Sequence, residues 1–139
     1  MGHEAGKPLT GTMADNPAVL APAGELHMSL EDWGRFIIDQ MEGEEGRGRL
    51  LSAESYRRLH RAQGDTSAAL GRVAIKAFRG LEGPFLSHVG SNGYWRAVVI
   101  ARPSNRSALL TVVNCGDGCQ SAEVHRATLD ALAVEALSD

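Results

Sequence analysis

The feature that most constrains the fold is a series of apolar runs separated by short polar turns in the second half of the chain. These runs cover residues 70–78, 84–89, 94–102 and 107–114, and each has the length of a β-strand. Glycine, asparagine and proline lie between them, as in Ser91-Asn92-Gly93. Because such short connections join strands that run in opposite directions, the pattern predicts an antiparallel β-meander of about four strands.

Helices are expected on both sides of this meander. Ser29 is expected to cap one helix, with Asp32 at the third position as in a capping box, and a second, shorter helix is expected to start at Ser52. Ser121 is expected to cap a last helix with a broad apolar face. The predicted class is α+β, with the sheet packed against the C-terminal helix and two helices N-terminal to the sheet.

The chain is expected to form one domain. Residues 1–24 are rich in Gly, Pro and Asn and predict an extended or flexible lead-in, while 25–139 predict a single α+β domain. A chain of 139 residues with 43% hydrophobic content can bury a core of its own.

Composition excludes several classes of partner. The net charge of -3, with charges of both signs interspersed, predicts no basic surface for nucleic acid. The sequence contains no run of about 18 apolar residues, so no membrane span is predicted. The first residues have no apolar core of a signal peptide, and the localisation stays unknown.

Five segments occur in an order that carries a family resemblance: Pro22-Ala23-Gly24-Glu25-Leu26, Asp32-Trp33-Gly34-Arg35-Phe36, Leu50-Leu51-Ser52-Ala53-Glu54, His88-Val89-Gly90-Ser91-Asn92-Gly93, and Val112-Val113-Asn114. Together they resemble the C-terminal part of the serine β-lactamase-related family, which includes class C β-lactamases, D,D-peptidases and esterases. In that family a Lys-Thr-Gly or His-x-Gly element lines the acyl pocket.

The resemblance implies roles for one turn. His88, Gly90 and Ser91 would be the remaining catalytic element, with Ser91 acting as an oxyanion donor through its main-chain N–H. Asn92 and Gly93 would contact the substrate. Two other interpretations of His88 stay open, namely a polar strand end and a metal ligand, and Asn92-Gly93 is also typical of an ordinary hairpin turn.

The family's other catalytic elements are missing from this sequence. No Ser is followed three residues later by Lys, and Lys7 and Lys76 are the only lysines. Neither Tyr56 nor Tyr94 begins a Tyr-x-Asn element. We therefore expect an incomplete β-lactamase/transpeptidase-like fold that is inactive alone, with no cofactor and an unidentified substrate. Members of this family often work in the periplasm or outside the cell.

Two functional hypotheses follow. The chain is either a C-terminal fragment of such a hydrolase, whose partner is the missing N-terminal part, or a binding or self-assembly module without catalysis. In the family, the last strand of the meander pairs with a strand from the N-terminal part. Here residues 107–114 are therefore expected to form an open edge that favours self-association.

Three interpretations of the two cysteines stay open: a disulfide, two free thiols and a zinc site. Cys115 and Cys119 enclose Gly116, Asp117 and Gly118, a loop flexible enough for a disulfide, although two unlinked thiols are the default. A zinc site would need further ligands, and only His125 is near in sequence. His60 and His125 are otherwise expected on helix surfaces, and no histidine cluster indicates a metal site.

Overall fold

A computed structural model describes residues 1–11, 15–116 and 119–138. Within these ranges the strands are named β1 to β7 and the helices α1 to α4, and 3₁₀ turns are given by their residues. In chain order these are β1 His3–Glu4, β2 Lys7–Pro8, 3₁₀ Ala18–Leu20, α1 Ala21–Gly24, α2 Leu30–Gly43, α3 Ala53–His60, β3 Ala68–Ala69, β4 Arg72–Phe78, β5 Leu81–Ser91, β6 Arg96–Arg102, 3₁₀ Pro103–Asn105, β7 Ser107–Val113 and α4 Ser121–Leu137.

The described strands form an antiparallel five-stranded sheet and a separate two-stranded hairpin. The sheet has the order β3-β4-β5-β6-β7, and the hairpin joins β1 to β2. The α+β class and the meander are therefore confirmed. The short strand β3 raises the number of strands in the meander to five, and Tyr94 and Trp95 belong to the turn before β6 rather than to the strand.

Helices cover both faces of this sheet. On one face Phe85, Val98 and Ile100 pack with residues of α4: Leu129, Ala133 and Leu137. On the other face Leu86, Val99 and Ala101 pack with residues of α2: Ile37 and Met41. Packing of the C-terminal helix on the sheet is thus confirmed, and α2 adds a second layer. Strand β6 is apolar on both of its faces, so each face needs a cover.

One of the two predicted serine N-caps is observed, and Ser52, where the second helix was predicted to start, is a cap as well. Ser29 Oγ accepts a hydrogen bond from Asp32 N at 3.0 Å, and Ser52 Oγ accepts one from Ser55 N at 3.2 Å. The prediction for Ser121 is wrong, because Gln120 is the cap residue and Ser121 is buried. Ser121 begins the stripe of α4 that faces the protein interior, spaced every four residues: Ser121, His125, Leu129, Ala133 and Leu137.

The buried Tyr56 side chain joins α2, α3 and the loop between them. Its hydroxyl donates to Asp39 Oδ2 at 2.5 Å and accepts from the main-chain N–H groups of Leu50 and Leu51 at 3.1 and 3.2 Å. Burial, followed by the hydrogen bond to Asp39, raises the pKa of Tyr56. This network holds α2 in the position from which it covers the sheet.

The N-terminal segment is more structured than the predicted extended lead-in. It contains the β1-β2 hairpin, a 3₁₀ turn and α1, and the hairpin is attached to the sheet. His3 N donates to Tyr94 O at 3.3 Å, and His3 Nδ1 lies 2.9 Å from Asn114 O. Gly2 is buried at this contact. It packs so closely that an added Cβ would lie 2.9 Å from Tyr94 Cβ, so a larger residue would not fit without a shift. Long-range contacts of this kind have no local sequence signal.

Candidate functional site

Strand β5 extends beyond the end of β4, and this overhang defines the candidate site. The pairing of β4 with β5 ends at Val73 and Ser87, whereas β5 stays paired with β6 as far as Ser91 and Arg96. Residues 88–91 therefore have β6 on one side. On their other side, no strand within the described ranges pairs with them.

The register shows which main-chain groups face this open side. Ala74 N donates to Ser67 O at 2.7 Å, so the main chain of Ala74 faces away from β5. In antiparallel strands the N–H and C=O of one residue face the same side, and successive residues alternate. Ser87 consequently faces β4, and Val89 and Ser91 face the same direction beyond the end of that strand. The Ser91 N–H thus points to the open side of β5.

A cavity of about 730 Å³ lies against this overhang. Its walls come from the end of β5, the first turn of α2 and the segment that leads into α2. The lining residues include His88, Val89, Gly90, Ser91, Asn92, Pro22, Gly24, Leu26, Trp33, Trp95 and Val112. The fold therefore brings the Pro22–Leu26 segment and the His88–Asn92 turn to one cavity, and its size is in the usual range for ligand pockets.

The His88 side chain is exposed between two cavities. It shares its face of the sheet with Leu86, and it lines both the large cavity and a second one of about 310 Å³. Within the described part of the chain, no hydrogen bond or ion pair to the His88 ring is found. The imidazole can therefore offer a donor or acceptor to a ligand, but no carboxylate of the described residues orients it as in a catalytic triad.

The predicted substrate-binding residues belong to the turn after β5. Ser91 Oγ accepts from Gly93 N at 3.0 Å, and Asn92 Oδ1 accepts from Tyr94 N and Trp95 N at 3.1 and 2.9 Å. The Asn92 carbonyl is thus occupied by the turn, as in an Asx turn. Asn92 still lines the cavity, whereas Gly93, with a φ of 87°, is absent from its wall.

Sequence reasoning missed the polar contacts at the rim of this cavity. His27 Nε2 lies 3.1 Å from Asp15 Oδ2, and Asn16 Nδ2 donates to Gly24 O at 2.7 Å. Both pairs connect the start of the chain to the segment before α2. The only sequence signal for this region was the Pro22–Leu26 segment itself, since Asp15 and Asn16 lie in a stretch without periodicity.

Cys115 and Cys119 are joined by a disulfide bond, with Cα atoms 5.7 Å apart. Gly6 N donates to Cys119 Sγ at 3.2 Å, so the bond lies beside the β1-β2 hairpin. Asp117 and Gly118, which the predicted loop includes, lie outside the described residues. Across the described ranges, no group of three or more His, Cys, Asp or Glu side chains is placed to hold a metal ion.

His60 and His125 are buried, so the prediction that they lie on helix surfaces is wrong. His60 Nδ1 is 2.7 Å from Glu44 Oε1, and its Nε2 is 3.3 Å from Gln40 Oε1. His125 contacts the Thr111 hydroxyl through Nδ1 and lies 3.2 Å from a main-chain oxygen through Nε2. Burial lowers the pKa of both rings. Each sits on the inward stripe of its helix and serves packing.

Comparisons with known proteins identify no relative. No protein family, curated protein or solved structure matches the chain. No helix in the described ranges is long and apolar enough to cross a membrane.

Proposed function

We propose that the chain is the C-terminal part of a serine β-lactamase-related hydrolase, and that the overhang of β5 forms one wall of its acyl-binding pocket. One observation carries the proposal. The His88–Asn92 turn lines a cavity of about 730 Å³ at the point where β5 extends past β4, and the Ser91 N–H faces the open side.

Each residue of the wall has a role in this proposal. The Ser91 N–H would donate to the oxygen that gains charge during acyl transfer. His88 would contact the acyl group or the leaving group from the face of the sheet. Trp33 and Trp95 line the same cavity and would hold the apolar part of the substrate. The nucleophile and its base would come from another polypeptide segment.

The outer edge of β7 supports the same proposal. Within the described ranges β7 pairs with β6 alone, so it is an edge strand. The alternation that places Ser91 outward also directs the main-chain groups of Ala108, Leu110 and Val112 away from β6. Such an edge can accept the strand that the family's N-terminal part contributes.

The isolated chain is expected not to be acylated by a fluorescent penicillin or a fluorophosphonate, because its 139 residues contain no Ser-x-x-Lys. Intact-mass spectrometry after incubation with either reagent measures this directly. A stoichiometric adduct that disappears in a Ser91→Ala variant would contradict the expectation, since Ser91 would then be a nucleophile.

Complementation tests the proposal itself. The chain would be co-expressed with the N-terminal part of a serine β-lactamase-related protein that carries Ser-x-x-Lys and Tyr-x-Asn. We expect a stable complex with esterase activity, whereas the same N-terminal part with its nucleophilic Ser changed to Ala should form the complex without activity. Failure to form any complex with several such partners would reject the proposal.

The β7 edge also favours a second candidate function, self-assembly through pairing with a second copy. The segment Ala108–Val113 has no charge, no proline and no glycine, so it lacks the features by which edge strands usually avoid pairing. Two β7 strands in antiparallel orientation would satisfy the outward groups of both copies. The pairing would extend the sheet across the interface.

A Val112→Pro substitution separates this candidate from the first. The Val112 N–H faces outward, so proline removes a donor of the free edge without removing a bond to β6. We expect the unsubstituted chain and Val112→Ala to self-associate at high micromolar concentration, and Val112→Pro to be a monomer by analytical ultracentrifugation. A monomeric unsubstituted chain with fast amide exchange at Ala108, Leu110 and Val112 would exclude self-assembly through this edge.

A further inference from the structure

The second cavity contains a partly buried cation, Arg72, for which the described part of the chain supplies no ion-pair partner. It measures about 310 Å³ and lies between α2, the end of α3 and the turn before β4. Arg72 lines it, and its guanidinium donates to Gln40 Oε1 at 3.0 Å and lies 5.7 Å from the centre of the Phe36 ring. Burial lowers the pKa of Arg72.

No carboxylate among the described residues forms an ion pair with Arg72. Gln40 and His60 are the polar side chains nearest to Arg72, and both are uncharged when His60 is deprotonated. Glu44 contacts the opposite side of the His60 ring. A guanidinium withdrawn from water costs free energy unless an anion or a full set of acceptors compensates it. Gln40 Oε1 supplies one acceptor only.

The rest of the cavity wall is largely apolar. Phe36, Leu59, Leu70 and Val99 line it together with Arg72. A cavity of this size with one cation and apolar walls suits a small anion that carries a hydrocarbon group better than a strongly hydrated anion. The hydrocarbon group can replace water along the apolar walls.

We propose that this cavity binds a small organic carboxylate, whose carboxylate pairs with Arg72 and whose hydrocarbon part contacts Phe36, Leu59 and Leu70. Arginine suits this role because its planar N–H groups match the two oxygens of a carboxylate. The cavity shares Trp33 and His88 with the larger one, whereas Arg72, Phe36, Leu59 and Leu70 line this cavity and not the larger one. The proposal does not depend on the hydrolase half-site, because it concerns binding to the isolated chain.

Titration of the isotope-labelled 139-residue chain with hexanoate, followed by two-dimensional NMR, tests this site. We expect saturable shifts at Arg72 and at the residues that line the cavity with it. Hexanamide, which has the same shape without the charge, should bind at least about 10-fold more weakly. Arg72→Gln should weaken hexanoate binding by about 10- to 100-fold, the usual effect of losing a charged hydrogen-bonding partner.

Two further variants make the result decisive. Arg58→Gln removes an exposed arginine of α3 and should leave hexanoate binding unchanged. Arg72→Lys keeps the charge and should bind hexanoate more tightly than hexanamide, which tests the site even if Arg72→Gln does not fold. Absence of saturable shifts, equal binding of hexanoate to Arg72→Gln, or inorganic phosphate binding as tightly as hexanoate would overturn the proposal.

Discussion

The His88→Ala variant is expected to lower the esterase activity of the complemented protein by about 10- to 1000-fold, the usual range for losing a polarising or proton-handling group. His88 lines the large cavity beside the outward Ser91 N–H, so its ring can reach a bound acyl group. The substitution should not impair folding, because the side chain is exposed and no bond to its ring is found within the described residues. Hydrolysis of a chromogenic ester measures the effect.

Two variants control this experiment. His88→Lys introduces the lysine that the Lys-Thr-Gly element of the proposed family carries, and it should keep more activity than His88→Ala. His27→Ala removes a rim histidine that pairs with Asp15, and it should have a much smaller effect. Activity that is indifferent to His88→Ala would mean that His88 is only a strand end, even if complementation succeeds.

The Phe85→Ala variant is expected to lose about 3–5 kcal/mol of unfolding free energy, the usual cost of removing a large aromatic side chain from a core. Phe85 is fully buried beneath α4 and lies 6.0 Å from the Phe78 ring, centre to centre. Because small domains are stable by only about 5–15 kcal/mol, this loss should also lower the denaturation temperature markedly. Urea denaturation followed by circular dichroism measures it.

Val89→Ala on the same strand is the matched control for this loss. Val89 is 47% exposed, so its truncation should change stability by no more than about 0.5–1 kcal/mol. A similar loss of unfolding free energy in both variants would contradict the assignment of Phe85 to the core between the sheet and α4.

Local sequence patterns determined the meander, helices α2 to α4 and the cap of α2. Strands β4 to β7 follow from apolar runs between turn residues, because pairing of neighbouring antiparallel strands needs only short connections. Ser29 could be identified as a cap because a cap bonds an N–H only a few residues away. The His88–Gly93 turn was predicted as the candidate site from its residues together with their family resemblance, and its role stays a prediction.

Long-range packing decided the rest. The interior positions of His60 and His125, the contacts of β1 and the second cavity around Arg72 depend on residues far apart in the sequence. The extension of β5 beyond β4 depends on the register in which the two strands pair. The amino-acid composition of one strand does not specify that register. The sequence by itself therefore determined which residues form the turn at the candidate site. Only the tertiary structure decided that this turn lines a cavity with the segment before α2, because their contact arises when α2 packs on the sheet.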